Sequence, residues 1–172
     1  MIIGRALGYL FDGMTLTGTP AGTRTVQNNM GNQDALNKFI AESDSREAVK
    51  FPLIFYVIAP VETIGNYRYC NTDLIIMMNT KESLLYKDRT DKTYVDYIEP
   101  VYDKVVTALK QNIYVTDLSE KRERYSYVDV PNYGITEAKP VSKIQDKSAI
   151  SDYVDARIVK LRLKINTNCL IP

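Results

Sequence analysis

The sequence predicts an α+β fold: a mostly antiparallel sheet with helices packed on one face. Three observations carry this. Residues 159–165 alternate strictly, with Val159, Leu161, Leu163 and Ile165 on one side and Lys160, Arg162 and Lys164 on the other. Two apolar runs, Phe51–Pro60 and Thr72–Asn79, lie close enough to pair as a hairpin. Two stretches with helical spacing flank them. A period of two marks a half-buried strand, and apolar spacings of three and four mark one face of a helix.

Residues 1–32 read as an extended N-terminal arm, and 33–172 as a single α+β domain. Thr15–Thr25 is rich in Thr, Gly and Pro and has no helical period. Such an arm is either a loose terminus or a segment that orders against a neighbouring subunit. A helix is expected from Gln33 to Glu42, with Leu36, Phe39 and Ile40 as its stripe, Asn32 as its N-cap and Asp34 in its first turn. The run bracketed by Pro52 and Pro60 reads as a strand buried on both faces. Gly65-Asn66 signals a turn, and Thr72–Asn79 a returning antiparallel strand.

Residues 80–92 are polar. Tyr94, Ile98, Val101, Val105 and Leu109 then recur at helical spacing over 93–111. Pro100 falls inside that stretch. It removes a hydrogen bond and crowds the carbonyl of Asp96, so the helix is either kinked or divided there. Ile113–Leu118 and Arg124–Val130 are candidate strands, and 131–151 is a long polar connection. The final strand opens at Asp152. Its apolar positions are even up to Ile158 and odd from Val159, which suggests a β-bulge at that step.

Length and composition fit one domain with a real core: 172 residues, 45% hydrophobic and 25% charged. The 22 basic and 21 acidic residues leave a net charge of +1, so only local clusters can speak for nucleic acid. Histidine is absent, which excludes Ser-His-Asp and Cys-His nucleophiles and every histidine metal site. Cys70 and Cys169 make no disulfide framework and read as inert thiols. No apolar stretch reaches the ~18 residues of a membrane-spanning helix. No signal peptide is evident, so synthesis in the cytoplasm is expected. Phosphate loops, dinucleotide fingerprints and metal-spaced cysteines are missing, and neither a catalytic residue nor a cofactor is expected. Asp152 and Asp155 leave a strand on opposite faces and read as a solvated strand entrance.

Lys160, Arg162 and Lys164 are the candidate site. One reading is the ordinary solvent side of an antiparallel sheet, where lysines also guard an edge. The other is a cation row on an inter-subunit surface or a nucleic-acid passage, acting through phosphate because the strand itself carries no aromatic stacking partner. Lys121-Arg122-Glu123-Arg124 is a second, diluted basic cluster. The 13 tyrosines suit half-buried packing or interface anchoring.

Phe51-Pro-Leu-Ile-Phe-Tyr56, Thr72–Asn79, Tyr94-Val-Asp-Tyr-Ile-Glu-Pro-Val-Tyr-Asp-Lys-Val105 and Asp152-Tyr-Val-Asp-Ala-Arg-Ile-Val-Lys-Leu-Arg-Leu163 occur in this order. Together they make residues 33–166 similar to small neck proteins of tailed bacteriophages, including crAss-like phages, a family that resembles the tail-terminator and head–tail connector fold. The resemblance implies a tail-terminator-like sheet and a non-enzymatic virion protein of the neck. Such proteins form a homo-oligomeric ring between portal and tail, touch the portal or adjacent neck and tail proteins, and let genomic DNA pass through the lumen. In that setting Lys160, Arg162 and Lys164 would meet DNA or a neighbouring subunit, and 62–70 and 131–151 would be docking loops. The alternative is a small nucleic-acid-binding or assembly-factor module not retained in the particle. A third reading, an enzyme using Lys or carboxylate chemistry, lacks a constellation of shifted groups.

Overall fold

The computed structural model describes residues 2–41, 50–80, 85–112, 115–118, 125–133 and 153–166. It is an α+β structure on a mixed sheet. A helix α1 (Ile2–Phe11) leads into the hairpin β1 (Thr15–Thr19) and β2 (Gly22–Thr25). Strand β3 (Gln27–Gly31) and helix α2 (Gln33–Ala41) follow, then β4 (Leu53–Ile58), β5 (Glu62–Ile64) and the long β6 (Tyr67–Thr80). A continuous helical stretch comes next: α3 (Tyr86–Arg89), a π-helical segment (Thr90–Ile98) and α4 (Glu99–Gln111). Strands β7 (Val115–Asp117), β8 (Tyr127–Val130) and β9 (Tyr153–Asn166) complete the described elements.

The main sheet runs β3-β4-β6-β9-β7, with β5 also on β6 and β8 also on β9. Every pair but one is antiparallel; β3 lies parallel to β4, which makes the sheet mixed. Its spine is the β6–β9 ribbon, paired without a break from Tyr67↔Asn166 to Thr80↔Tyr153.

That unbroken register corrects the expected bulge at Ile158-Val159. The apolar stripe changes face because different ends of the strand are covered on different faces. Val154 and Ala156 are buried on the even face, and Val159, Leu161, Leu163 and Ile165 on the odd face. Asp155 and Arg157 share that odd face and are buried as well. Between Val154 and Arg157 the strand is therefore covered on both sides.

Residues 1–32 are not an extended arm. They form a helix, a hairpin and a sheet strand, and they bury Leu7, Phe11, Leu16 and Val26 in the common core. Phe11 stacks on Tyr56 of β4 at 5.9 Å between ring centroids. The helices also divide between the two faces. Tyr56, and thus α1, lies on the face that carries Arg157, whereas Phe55 points to the opposite face. A Cβ built on Gly31 would lie 2.8 Å from Ala35 Cβ and 3.2 Å from Phe55 Cζ, so α2 turns away onto Phe55's side. Its N-terminus is capped as expected, by Asn32 Oδ1 accepting from the Ala35 N–H at 2.8 Å.

Pro100 does not divide its helix, which runs on without a break from Thr90 to Gln111. The turns before it widen to π geometry, and the Glu99 N–H reaches back five residues to the Tyr94 carbonyl. Proline offers no N–H and would clash with the carbonyl four residues back in a tight α-turn; a wider turn relieves both faults. Beyond it α4 buries Val101, Tyr102, Val105, Val106 and Leu109, which join Val159, Leu161, Leu163 and Ile165 of β9 in one core. Each such fully buried aliphatic side chain contributes roughly 1.5–3 kcal/mol.

Candidate functional site

Strand alternation places Lys160, Arg162 and Lys164 together on the face of β9 turned away from α4. Lys160 and Arg162 are exposed and Lys164 is half-buried. Register decides what surrounds them. Lys160 stands opposite Asp73, Arg162 opposite Asn71, and Lys164 opposite Tyr69, all on β6. On the other side Lys164 meets Thr116 of β7. The Leu118 N–H donates to the Arg162 carbonyl at 2.6 Å, extending that register by one more pair.

The row is not without aromatic neighbours. Lys164 Nζ sits 4.0 Å from the centroid of the Tyr67 ring, a cation–π contact. Tyr67 and Tyr69 leave β6 on the same face as the cations. The sequence of β9 alone does not reveal them, because they come from a strand some 90 residues earlier in the chain. The available signal was the alternation Tyr67-Arg68-Tyr69-Cys70, which separates two tyrosines from a buried cysteine. Ile64, opposite Tyr67, is 55% exposed, so the apolar surface continues to the end of the sheet.

Residues 62–70, expected as a loop, are a hairpin. They are β5, a tight turn and the first residues of β6. Of the other expected docking segment, 134–151 lies outside the described residues, as do the basic cluster at 121–124, Asp152 and Cys169.

A second cluster lies on the opposite face, under the π-helical segment. Asp155 is no solvated strand entrance: it is fully buried and pairs with Arg89 at 3.1 Å. Its Oδ1 also accepts from the Asn132 N–H at 3.1 Å, and the Thr80 hydroxyl lies beside the carboxylate. Burial raises the carboxyl above its ordinary value, against the Asn132 N–H and the Arg89 charge. Two residues on, the Arg157 guanidinium forks onto Asp129 at 2.7 and 3.0 Å and also bonds Glu99. It lies 3.7 Å from the Tyr127 ring centroid and 5.1 Å from that of Tyr102. The hydrogen bonds and charges of those two acids outweigh burial and hold it more firmly protonated. Arg89, Tyr94, Glu99, Asp129 and Arg157 border a cleft of about 300 Å³. Burial, with Asp155 and Asp129 nearby, pushes the Tyr94 hydroxyl well up. The charges in this cleft are spent on one another, and the cluster clamps the helix to β9 and β8.

Among the described residues, no group of three or more Cys, Asp or Glu side chains is placed to hold a metal ion, and no helix is long and apolar enough to cross a membrane. Cys70 is 4% exposed, and burial pushes its thiol up to about 11. It is expected to resist iodoacetamide at pH 8 until the protein unfolds. The folded thiol keeps its proton to about 11, against 9.0 for an ordinary thiol, so its contribution is intact below pH 9 and lost as pH rises through 11. Two units correspond to about 2–3 kcal/mol. The urea midpoint should therefore fall further between pH 8 and 11 in the wild type than in Cys70→Ala; equal falls would refute this assignment.

Compared with family models, curated proteins and solved structures, the chain matches none.

Proposed function

We propose that this chain is a structural subunit that assembles into a closed ring in the neck of a tailed-phage particle. The portal or adjacent neck and tail proteins flank the ring, and genomic DNA passes through its lumen. One observation carries the reading: a sheet face longer than the helix that packs on it among the described residues, with one end exposed. The β6–β9 ribbon has 14 residues on each strand, about 48 Å at 3.4 Å per residue. On the face of Lys160, Arg162 and Lys164 the only described helix is α2, with nine residues, about 13 Å long. The uncovered end presents Ile64, Tyr67 and Leu118, all more than a third exposed, beside the three cations. Exposed aromatic and aliphatic groups next to charges suit a subunit contact. Head-to-tail contacts of this kind close into a ring when the rotation between subunits divides a full turn.

The mass of the purified chain, followed by native mass spectrometry and negative-stain imaging over a concentration series, tests this. Closed particles of several copies are expected. The triple variant Lys160→Gln, Arg162→Gln, Lys164→Gln should remain folded and lose assembly. A wild-type chain that stays monomeric at every concentration, or a variant that assembles as well as wild type, would count against the proposal.

A further inference from the structure

We infer that the outer face of the long helix, around Val95, is where the next copy of this chain sets its face of Lys160 and Lys164. This rests on the ring reading and names the other half of its contact. A head-to-tail contact needs two unlike surfaces on every copy. The face of Lys160 and Lys164 supplies one. The helix lies on the other side of the sheet, where Glu99 bonds Arg157. Thr93, Tyr97, Ile98, Val101 and Tyr102 turn inward and are buried. Asp91, Val95 and Asp103 are left exposed, with Asp96 and Glu99 half-buried. The two surfaces therefore sit on opposite sides of one subunit. A contact between them repeats in one direction, whereas a two-fold dimer sets a surface against itself.

Charge complementarity selects a second copy as the occupant. From Asp88 to Asp103 the sequence carries five acids against two bases. One of those bases, Arg89, is buried on Asp155, and the other, Lys92, is exposed. Val95 lies among these acids, is 57% exposed and borders the cleft of about 300 Å³. The opposite face has the same make-up with the sign reversed: Lys160 and Lys164 beside Ile64 and Tyr67, which are 55% and 38% exposed. Apolar groups on both sides supply the buried area, and the charges fix orientation and register. The lengths agree. Lys160 to Lys164 spans about 14 Å of strand, and Asp91 to Asp103 about 18 Å at α-helical rise. Nucleic acid is repelled by the acidic helix face.

The test is assembly of the full chain, followed by native mass spectrometry over a concentration series. Asp91→Lys with Asp96→Lys should move half-assembly to a concentration at least about tenfold higher, as should Lys160→Glu with Lys164→Glu. All four reversals in one chain should return assembly towards the wild-type level, because opposite charges face each other again. Circular dichroism checks that each variant is folded. Carbodiimide treatment of wild-type assemblies, made from mixed light and heavy-isotope chains, should join Lys160 or Lys164 of one copy to Asp91 or Asp96 of another. Wild-type assembly that survives reversal of Asp91 and Asp96, or that the four reversals fail to restore, would overturn the inference and leave the ring standing. Assemblies in which identical faces are joined would do the same. A wild-type chain that stays monomeric would overturn the ring reading and this inference with it.

Discussion

Replacing Asp155 with alanine is expected to destabilise the protein by about 3–5 kcal/mol, because it takes the buried counter-charge at 3.1 Å from a buried guanidinium. Asp155 is fully buried and the Arg89 side chain is 8% exposed, so water offers the guanidinium little compensation. The same substitution removes the acceptor for the Asn132 N–H at the end of β8. Asn132 also accepts from Arg89 at 2.6 Å, so the bond between helix and turn survives the substitution while the bonds of both to β9 at Asp155 are lost. The Asp155→Asn substitution retains an Oδ1 acceptor and should cost about half as much. Urea denaturation of the two variants checks the order. An alanine variant within about 1 kcal/mol of wild type would show that the pair contributes no more than a surface bridge.

Arg157→Leu should cost about 2–4 kcal/mol, somewhat less than the loss of Asp155. Here the stranded partners, Glu99 and Asp129, have side chains 31% and 37% exposed and recover some hydration. What is lost is the two-pronged bond to Asp129 and the contact with the rings of Tyr127 and Tyr102. Lysine retains charge without the planar fork, so Arg157→Lys should recover less than half of the loss. Combining Arg157→Leu with Asp129→Leu gives a cycle whose coupling is expected at about 1–3 kcal/mol. Additive single losses would mean that the two residues act separately.

The sequence revealed the features that depend on near neighbours. The Asn32 cap, the hairpin of β4 and β6, the stripe along α4 and the two-sided pattern of β9 all rest on spacings within one element. Pro100 announced a disturbance, though its outcome, a widened helix, depends on packing over the whole stretch. Residues 1–32 misled because composition stood in for geometry. The Thr/Gly/Pro run reads as an arm, but its Gly18 and Gly22 take positive φ and shape the β1–β2 hairpin. The apparent bulge misled for a related reason. A phase shift along one strand signals either an inserted residue or a change in which face is covered, and only the partners tell them apart. The least legible features were those assembled from distant segments. Arg89 and Asp155 are 66 residues apart, and Tyr67 meets Lys164 across an even longer separation. Register across β6 and β9 brings the second pair together, and no pattern within either segment encodes it.

Whether this chain is a ring subunit of a phage neck is tested most directly by cryo-electron microscopy of intact particles whose genome encodes it, reconstructed without imposing one symmetry on the neck. The expected result is density for the β6–β9 ribbon and α4 repeated around the DNA channel, with the face of Lys160, Arg162 and Lys164 turned to the next subunit. Particles that lack the chain, or that carry it as isolated copies away from the channel, would contradict the ring.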